Sequence, residues 1–277
     1  MADSSSRKLY RIGDYARYMG VTPDFLKHYE ENGLLEVQYT QSGYRYYDFD
    51  QSSRILEYMR LRNYGVTVKD MSRMLSAEDG EVLRLLDEKA ESLRTEKRRI
   101  EAVLAEHERV KTWYERRLVR PVDWEVRDVE PCWFLPHTNA RDFEQDERVY
   151  PLLKSWIGWM PLVKSALRVS PGNGGARYAT QWGLILRSSL ARQFGIPLGD
   201  GLVSMPGGKA FVYHFVGLER EFSIDEIGAG HHPMFEQMET LGLRAARDGY
   251  LVVEMKLTNA DGARRGGSGR FIVPLAD

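Results

Sequence analysis

Leu9 to Tyr47 reads L-Y-R-I-G-D-Y-A-R-Y-M-G-V-T-P-D-F-L-K-H-Y-E-E-N-G-L-L-E-V-Q-Y-T-Q-S-G-Y-R-Y-Y, and the N-terminal fold follows from it. A short extended start at Leu9 to Arg11 leads into a helical run with Ile12, Tyr15, Ala16 and Met19 on one face. Gly20 ends that run, and Thr22 caps a second helix whose first position is Pro23. Phe25, Leu26 and Tyr29 carry its inner face until Gly33 stops it. Two short helices joined by a tight glycine-containing turn predict a helix-turn-helix. Leu34-Leu35, the polar turn Gln41-Ser42-Gly43 and the strand-like Tyr44-Arg45-Tyr46-Tyr47 predict a β-hairpin wing after it. Strand alternation puts Tyr44 and Tyr46 on one face of the wing, Arg45 and Tyr47 on the other.

Tyr10-Arg11-Ile12-Gly13, Gly20-Val21-Thr22, Tyr29 to Leu35, Gly43 to Tyr47 and Leu61 to Thr67 carry a further signal in their order and spacing. Through them the chain resembles the MerR family of transcription regulators from about Leu9 to Leu75. The resemblance implies a winged helix-turn-helix domain over 7–77 that binds double-stranded promoter DNA. Its candidate DNA contacts are Thr22, Lys27, His28 and Tyr29 on the second helix and Tyr44, Arg45 and Tyr46 on the wing. Arg62 and Tyr64, at the end of the next helix, complete the set. Arg45 suits a phosphate through charge-assisted hydrogen bonds, with the tyrosines divided between core and backbone contact. Where the family usually has Arg-Tyr-Tyr, this chain has Lys27-His28-Tyr29, and lysine keeps the charge without the planar fork.

At 277 residues the chain has room for two domains, or one domain and a long connector. Net charge is −1 with both signs spread throughout, so affinity for DNA rests on local placement of Lys and Arg. The single cysteine, Cys132, excludes an internal disulfide framework and fits a reducing compartment. With no signal peptide and no long apolar run, a cytoplasmic protein without membrane contact is expected. Met1 to Ser6 is expected as a polar tail. His231-His232 lacks the spacing of a metal site, and Cys132 has no base partner in view. Pro171 to Gly175 is not followed by the Gly-Lys-Ser/Thr of a phosphate loop. Neither an enzyme, a metal site nor a cofactor is therefore expected.

After the wing, Asp48 to Tyr64 reads as a helix with Ile55, Tyr58, Met59 and Leu61 inward, and Val68 to Leu75 as a shorter one. From Glu81 to Arg117 there is neither Gly nor Pro. Leu86, Leu93, Ile100, His107 and Tyr114 recur every seven residues, with Val82, Val103 and Val110 beside them. This seam, interrupted by Lys89 and Glu96, predicts a coiled coil over 80–118. The resemblance implies an antiparallel helix here that makes a homodimer. Packing against the chain's own C-terminal half is the alternative.

Composition shifts at Arg120-Pro121 toward aromatics, β-branched residues, Gly and Pro. The expected order over 121–277 starts with a strand at Trp124 to Leu135, a helical region at Tyr150 to Leu167 and a strand at Tyr178 to Arg187. A hairpin turning at Pro206-Gly207-Gly208 follows, then a helix from Pro233 to Asp248. Strands at Tyr250 to Leu257 and Phe271 to Leu275 flank the Gly-rich Ala260 to Gly269. The fold class is α+β, with the C-terminal domain built from two similar halves. Met205-Pro206-Gly207-Gly208-Lys209-Ala210, the Tyr250 strand and Phe271 to Leu275 resemble the GyrI-like effector-binding domain of multidrug-sensing MerR proteins. Cation-sensing members commonly carry Glu shortly before the closing run, and this chain has Arg270, so neutral or anionic ligands are expected.

The tryptophans predict an aromatic-walled cavity for a flat molecule. Its candidates are Trp133, Trp156, Trp159 and Trp182 with Tyr178, Tyr213 and Phe215. Glu254 is the candidate buried acid, placed by alternation on the face of Val252 and Lys256. Together these readings imply a homodimeric activator that distorts an overlong promoter spacer for RNA polymerase when a small aromatic or drug-like effector binds. The alternatives are a DNA-binding protein whose C-terminal half binds a protein partner or hydrolyses a small molecule.

Overall fold

A computed structural model describes residues 8–139, 142–172, 177–216, 223–256 and 267–276. The expected Met1 to Ser6 tail, positions 173–175 of the Pro171 loop and 260–266 of the Gly-rich segment lie outside the described residues. The chain divides into two compact units, Met1–Arg98 and Arg99–Asp277.

The first unit begins with β1 (Leu9–Arg11), α1 (Ile12–Met19) and α2 (Pro23–Glu31). Gly20 closes α1 in the left-handed conformation that the missing Cβ permits, and the Thr22 hydroxyl accepts from the Phe25 N–H at 3.1 Å to open α2. β2 (Gln38–Tyr39) and β3 (Arg45–Asp48) form the wing, with β3 central between β1 and β2. Tyr47, fully buried, stacks on Tyr15 at 5.2 Å, and the Tyr15 hydroxyl donates to the Asp48 carbonyl. The wing is thereby fixed to α1 by aromatic packing and one buried hydrogen bond. A 3-10 turn at Phe49–Gln51 precedes α3 (Ser52–Asn63), so the expected helix starts later than Asp48; α4 (Val68–Met74) follows Gly65.

α5 (Asp79–Val119) is one continuous helix of 41 residues. Its stripes divide their work. Lys89 turns to α4 and pairs with Asp70 at 2.8 Å, while Val103 packs into a core of the second unit. Leu93, Ile100 and Leu104 remain 50–61% exposed in the single chain. The second half of α5 packs on its own unit, where Trp113 Nε1 donates to His214 Nδ1 at 2.9 Å. Leu86 and Val103 of the expected seam are thus used internally, and its part at Leu93 and Ile100, with Leu104 beside them, is uncovered among the described residues.

The second unit continues through β4 (Val122–Val129), β5 (Cys132–Pro136), β6 (Thr138–Asn139), β7 (Asp142–Phe143) and α6 (Val149–Ile157). β8 (Lys164–Pro171), β9 (Tyr178–Arg187), α7 (Ser188–Phe194) and β10 (Val203–Met205) complete its first half. β11 (Gly208–Val216), α8 (Ile224–Ala229), α9 (Pro233–Thr240), β12 (Gly249–Lys256) and β13 (Gly267–Pro274) form the other. The antiparallel sheet runs β10-β5-β9-β8-β12-β13-β11-β4. Each half is a strand, helical connection and two strands, giving β5-β9-β8 and its mirror β12-β13-β11, joined at β8 and β12.

The link from β4 to β5 shows the sheet's shape. A flat sheet would hold these strands about 29 Å apart, at roughly 4.8 Å per strand. Glu130 and Pro131 span at most about 11 Å. The sheet therefore curls until its ends meet. Pro206-Gly207 crosses the same seam, and a Cβ on Gly207 would lie 2.8 Å from Pro131 Cδ. This overturns two expectations. Trp124 to Leu135 is two strands near opposite ends of the sheet, and β10 and β11 are not a hairpin. Two further differences are local. Lys164 to Leu167 begins β8 rather than ending a helix, and α9 stops at Thr240 before Gly242 at φ 66°.

His232 caps α9, its Nδ1 accepting from the Met234 N–H at 3.1 Å, with its ring edge-on to Phe215 and Phe271. Burial pushes its pKa down to about 4. The unfolded imidazole protonates near 6.5, so the folded state refuses a proton that the unfolded state accepts. Stability is complete above pH 6.5 and falls as pH drops toward 4, by roughly 3 kcal/mol from this group. His232→Asn keeps a capping acceptor and removes the titration. Urea unfolding at pH 7, 5.5 and 4.5 should show a shallower acid loss in the variant. Parallel losses in both proteins would assign the effect to other groups.

Candidate functional sites

On the first unit, Arg11 and the wing make an exposed basic and aromatic surface. Arg11 pairs across from Tyr46 in the β1–β3 register and donates to its hydroxyl at 3.1 Å. Its guanidinium also lies 5.3 Å from the ring of Tyr44, which is 57% exposed. Arg11 was absent from the expected contacts, although it stands inside the quoted motif; its cross-strand position is the signal that reveals it. Arg45 faces inward of the tip, donating to Glu30 Oε2 at 2.9 Å and lying over Tyr39, which itself hydrogen-bonds Glu30. Glu30 thereby sets the angle of the wing against α2.

On α2, Thr22 is committed to its cap, Lys27 pairs with Asp24 at 2.9 Å, and His28 is exposed. Tyr29 is a correction. It is buried and stacked on Phe25 at 4.1 Å, because it falls on the same helix face as Leu26, so its ring serves the core. Arg62 is exposed, and Tyr64 is exposed beneath Arg60, which is gripped by Glu57.

The expected single aromatic cavity is not formed. The curled sheet has a helix-covered face and a concave face; strand alternation sends Trp133, Tyr178, Trp182, Tyr213 and Phe215 to the first, and α6 and the turn after it bring Trp156 and Trp159 to the same side. Trp133, Trp156 and Trp159 belong to the core under α6 and α7, where Trp156 is fully buried and donates to the Pro197 carbonyl at 2.9 Å. Tyr178, Trp182, Tyr213 and Phe215 belong to a separate core under α8 and α9. Of these, Tyr178, stacked on Phe235 at 4.4 Å, lines an apolar cleft of about 550 Å³ with Met234, Met238, Leu243 and Phe271.

Glu254 opens on the opposite face. It shares the concave face with Val252, as alternation predicts, and sits at a β-bulge between Val253 and Met255. Its side chain is fully buried, with Arg109 Nη2 at 2.5 Å, Arg270 Nε at 3.1 Å and Lys164 also bound. Glu106 from α5 accepts from Arg109 and meets Lys164 Nζ at 2.6 Å. Burial works against the Glu254 carboxylate, yet Arg270, Lys164 and Arg109 overcome it and hold its pKa down at about 2. Burial also pulls the Arg270 pKa down against the attraction of Glu254. Above this cluster, inside the curl, lies a second cavity of about 210 Å³.

Among the described residues no group of three or more His, Cys, Asp or Glu side chains could hold a metal ion. None of their helices is long and apolar enough to cross a membrane.

Residues 10–78 match the family model described as MerR HTH family regulatory protein. The nodulation protein NolA of Bradyrhizobium sp. (strain NC92) is 36% identical over 70 residues, 25% of this chain and 30% of that protein. The mercuric resistance operon regulatory protein of Bacillus cereus is 29% identical over 79 residues, 28% of this chain and 60% of that protein. The chain thus spans about a third of the length of the NolA relatives it matches. Among solved structures, EcmrR in an EcmrR–DNA complex in EcmrR-RPo covers 97% of this chain and 100% of its own, at 13% identity and a TM-score of 0.39.

Proposed function

We propose that this chain is a MerR-type transcription regulator that binds promoter DNA through its first unit and a small effector through its second. The observation that carries the reading is the coincidence of the matched segment 10–78 with a capped helix-turn-helix and a wing displaying Arg11, Tyr44 and Tyr46. In this reading α2 offers Lys27 and His28 to the DNA, with Thr22 at its capped start. Arg11, Tyr44, Arg45 and Tyr46 hold the backbone from the wing, with Arg62 and Tyr64 beside them. Tyr29 acts from the core by fixing α2. Two copies joined through the uncovered face of α5 read two half-sites, as a two-fold protein does on a pseudo-palindrome. Effector binding changes the twist of the DNA between them, so that RNA polymerase meets both promoter elements and transcription rises.

The test is titration of the purified protein with DNA from its own promoter region. Arg11→Ala and Lys27→Ala should each weaken binding similarly across sequences and lower the salt slope by about 1. A variant with the parent salt slope would drop from the list of phosphate contacts. Loss of binding confined to one base substitution would mark that residue as a base reader instead.

A further inference from the structure

The cavity inside the curl joins a charged wall to an apolar floor. Arg109, Arg127, Lys164, Arg187 and Arg270 line it, against Glu106 and Glu130, with Glu254 buried behind. The charges do not close. Arg109 and Lys164 are absorbed by Glu106 and Glu254, each of which they share. Among the described residues Arg270 has only the already shared Glu254, and its Nε lies near that carboxylate without hydrogen-bond geometry. Arg187 reaches Glu130 at 3.3 Å and Glu106 at a loose 3.7 Å. Arg127 leans toward Glu125 at the mouth. The donor surplus continues where the lining passes under α5, because buried Arg117 donates to Asp123 and leaves Nε and Nη1 without an acceptor among the described residues. Partly buried cations in excess of their carboxylates are the complement of an anion.

We propose that this cavity is the effector site and takes a small organic anion. Its carboxylate is received by Arg270 and Arg187, and its apolar body lies on Cys132, Ile185, Met205, Val252 and Ile272. The assignment rests on reading the second unit as an effector-binding module, and it supplies the effector's class and place. The shape follows from the fold. A cavity volume of about 210 Å³ has room for a single-ring molecule. The floor comes from five different strands, so the whole curled sheet, not one loop, sets its depth. The guanidinium forks match a carboxylate in two parallel hydrogen bonds, and Glu254 beneath repels a second negative group.

The test uses the full chain and three ligands of one shape, benzoate, benzamide and benzylammonium, titrated calorimetrically at pH 7. Benzoate should bind at least about tenfold more tightly than the other two. Arg270→Gln and Arg187→Gln should each remove about tenfold or more of the benzoate affinity and leave benzamide unchanged. Arg187 is 40% exposed, so that variant carries the test even if the buried Arg270 variant fails to fold. Equal or tighter binding of benzylammonium overturns the proposal, as does full benzoate affinity in the Arg187→Gln protein. Promoter binding is scored separately by gel shift. DNA binding without benzoate binding overturns the anion site and leaves the regulator reading standing. Benzoate binding without DNA binding upholds the site and removes the regulator reading.

Discussion

Replacing Glu254 with Gln is expected to destabilise the second unit by about 3–5 kcal/mol, because the change keeps the shape and deletes the fully buried charge that three partly buried cations share. All six tryptophans lie beyond Arg99, so tryptophan emission follows this unit alone. For a unit of this size the loss should lower its melting temperature by roughly 10 °C. The pH dependence identifies the cause. Glu254 is held at about 2, below the ordinary carboxylate range near 4.5, so its contribution is complete above pH 4.5 and lost as pH falls through 2. The gap between parent and variant should therefore narrow steadily between pH 5 and pH 2. Adding Arg270→Met to Glu254→Gln should recover part of the loss, since removing both charges leaves less uncompensated than removing one. A Glu254→Gln protein that melts with the parent at pH 7 would show that the cations find other partners.

The first unit was legible because its signals are local. Gly20, Thr22 and Pro23 each act within one helical turn, and the polar tip of the wing closes a short hairpin. Tyr29 was misassigned within that success, because a motif residue on a reading helix can serve either face and only the packing on Phe25 decides. In the second unit the deciding facts are non-local. Pro206-Gly207-Gly208 has the composition of a hairpin turn, yet it joins strands whose partners lie elsewhere in a curled sheet. The break inside Trp124 to Leu135 is only Glu130-Pro131, too short to announce a change of sheet position. The aromatic excess was real, but strand alternation and, for Trp156 and Trp159, α6 and its end sent it to two cores on the helix-covered face. Glu254 was identified as a buried acid on the face of Val252, while its partners could not be read, because Arg109, Lys164 and Arg270 stand far from it in sequence. The cations of the cavity are spread from Arg109 to Arg270 and become neighbours only through the sheet order.

Ile100→Glu is the change expected to silence the protein without unfolding it. In the single chain Ile100 is 50% exposed, so a carboxylate there meets water and costs the monomer little. Leu93 and Leu104, also exposed, continue the same uncovered seam of α5. If two copies meet along it, Ile100 is buried in the pair, and the variant places two unpartnered carboxylates in that interface. The cost to association should reach at least about 3 kcal/mol, a weakening of the dimer by more than about a hundredfold. Sedimentation should then show folded monomers with the parent's tryptophan melting curve. Operator affinity should collapse with the dimer, because a lone reading head keeps one half-site and loses the effective concentration that its linked copy supplies. The benzoate site should survive, since its lining belongs to the second unit of one chain. That separation gives the experiment its force: a variant that still binds the anion, melts normally and no longer holds promoter DNA has lost only its pairing. A stable Ile100→Glu dimer would place the interface on another face of the chain.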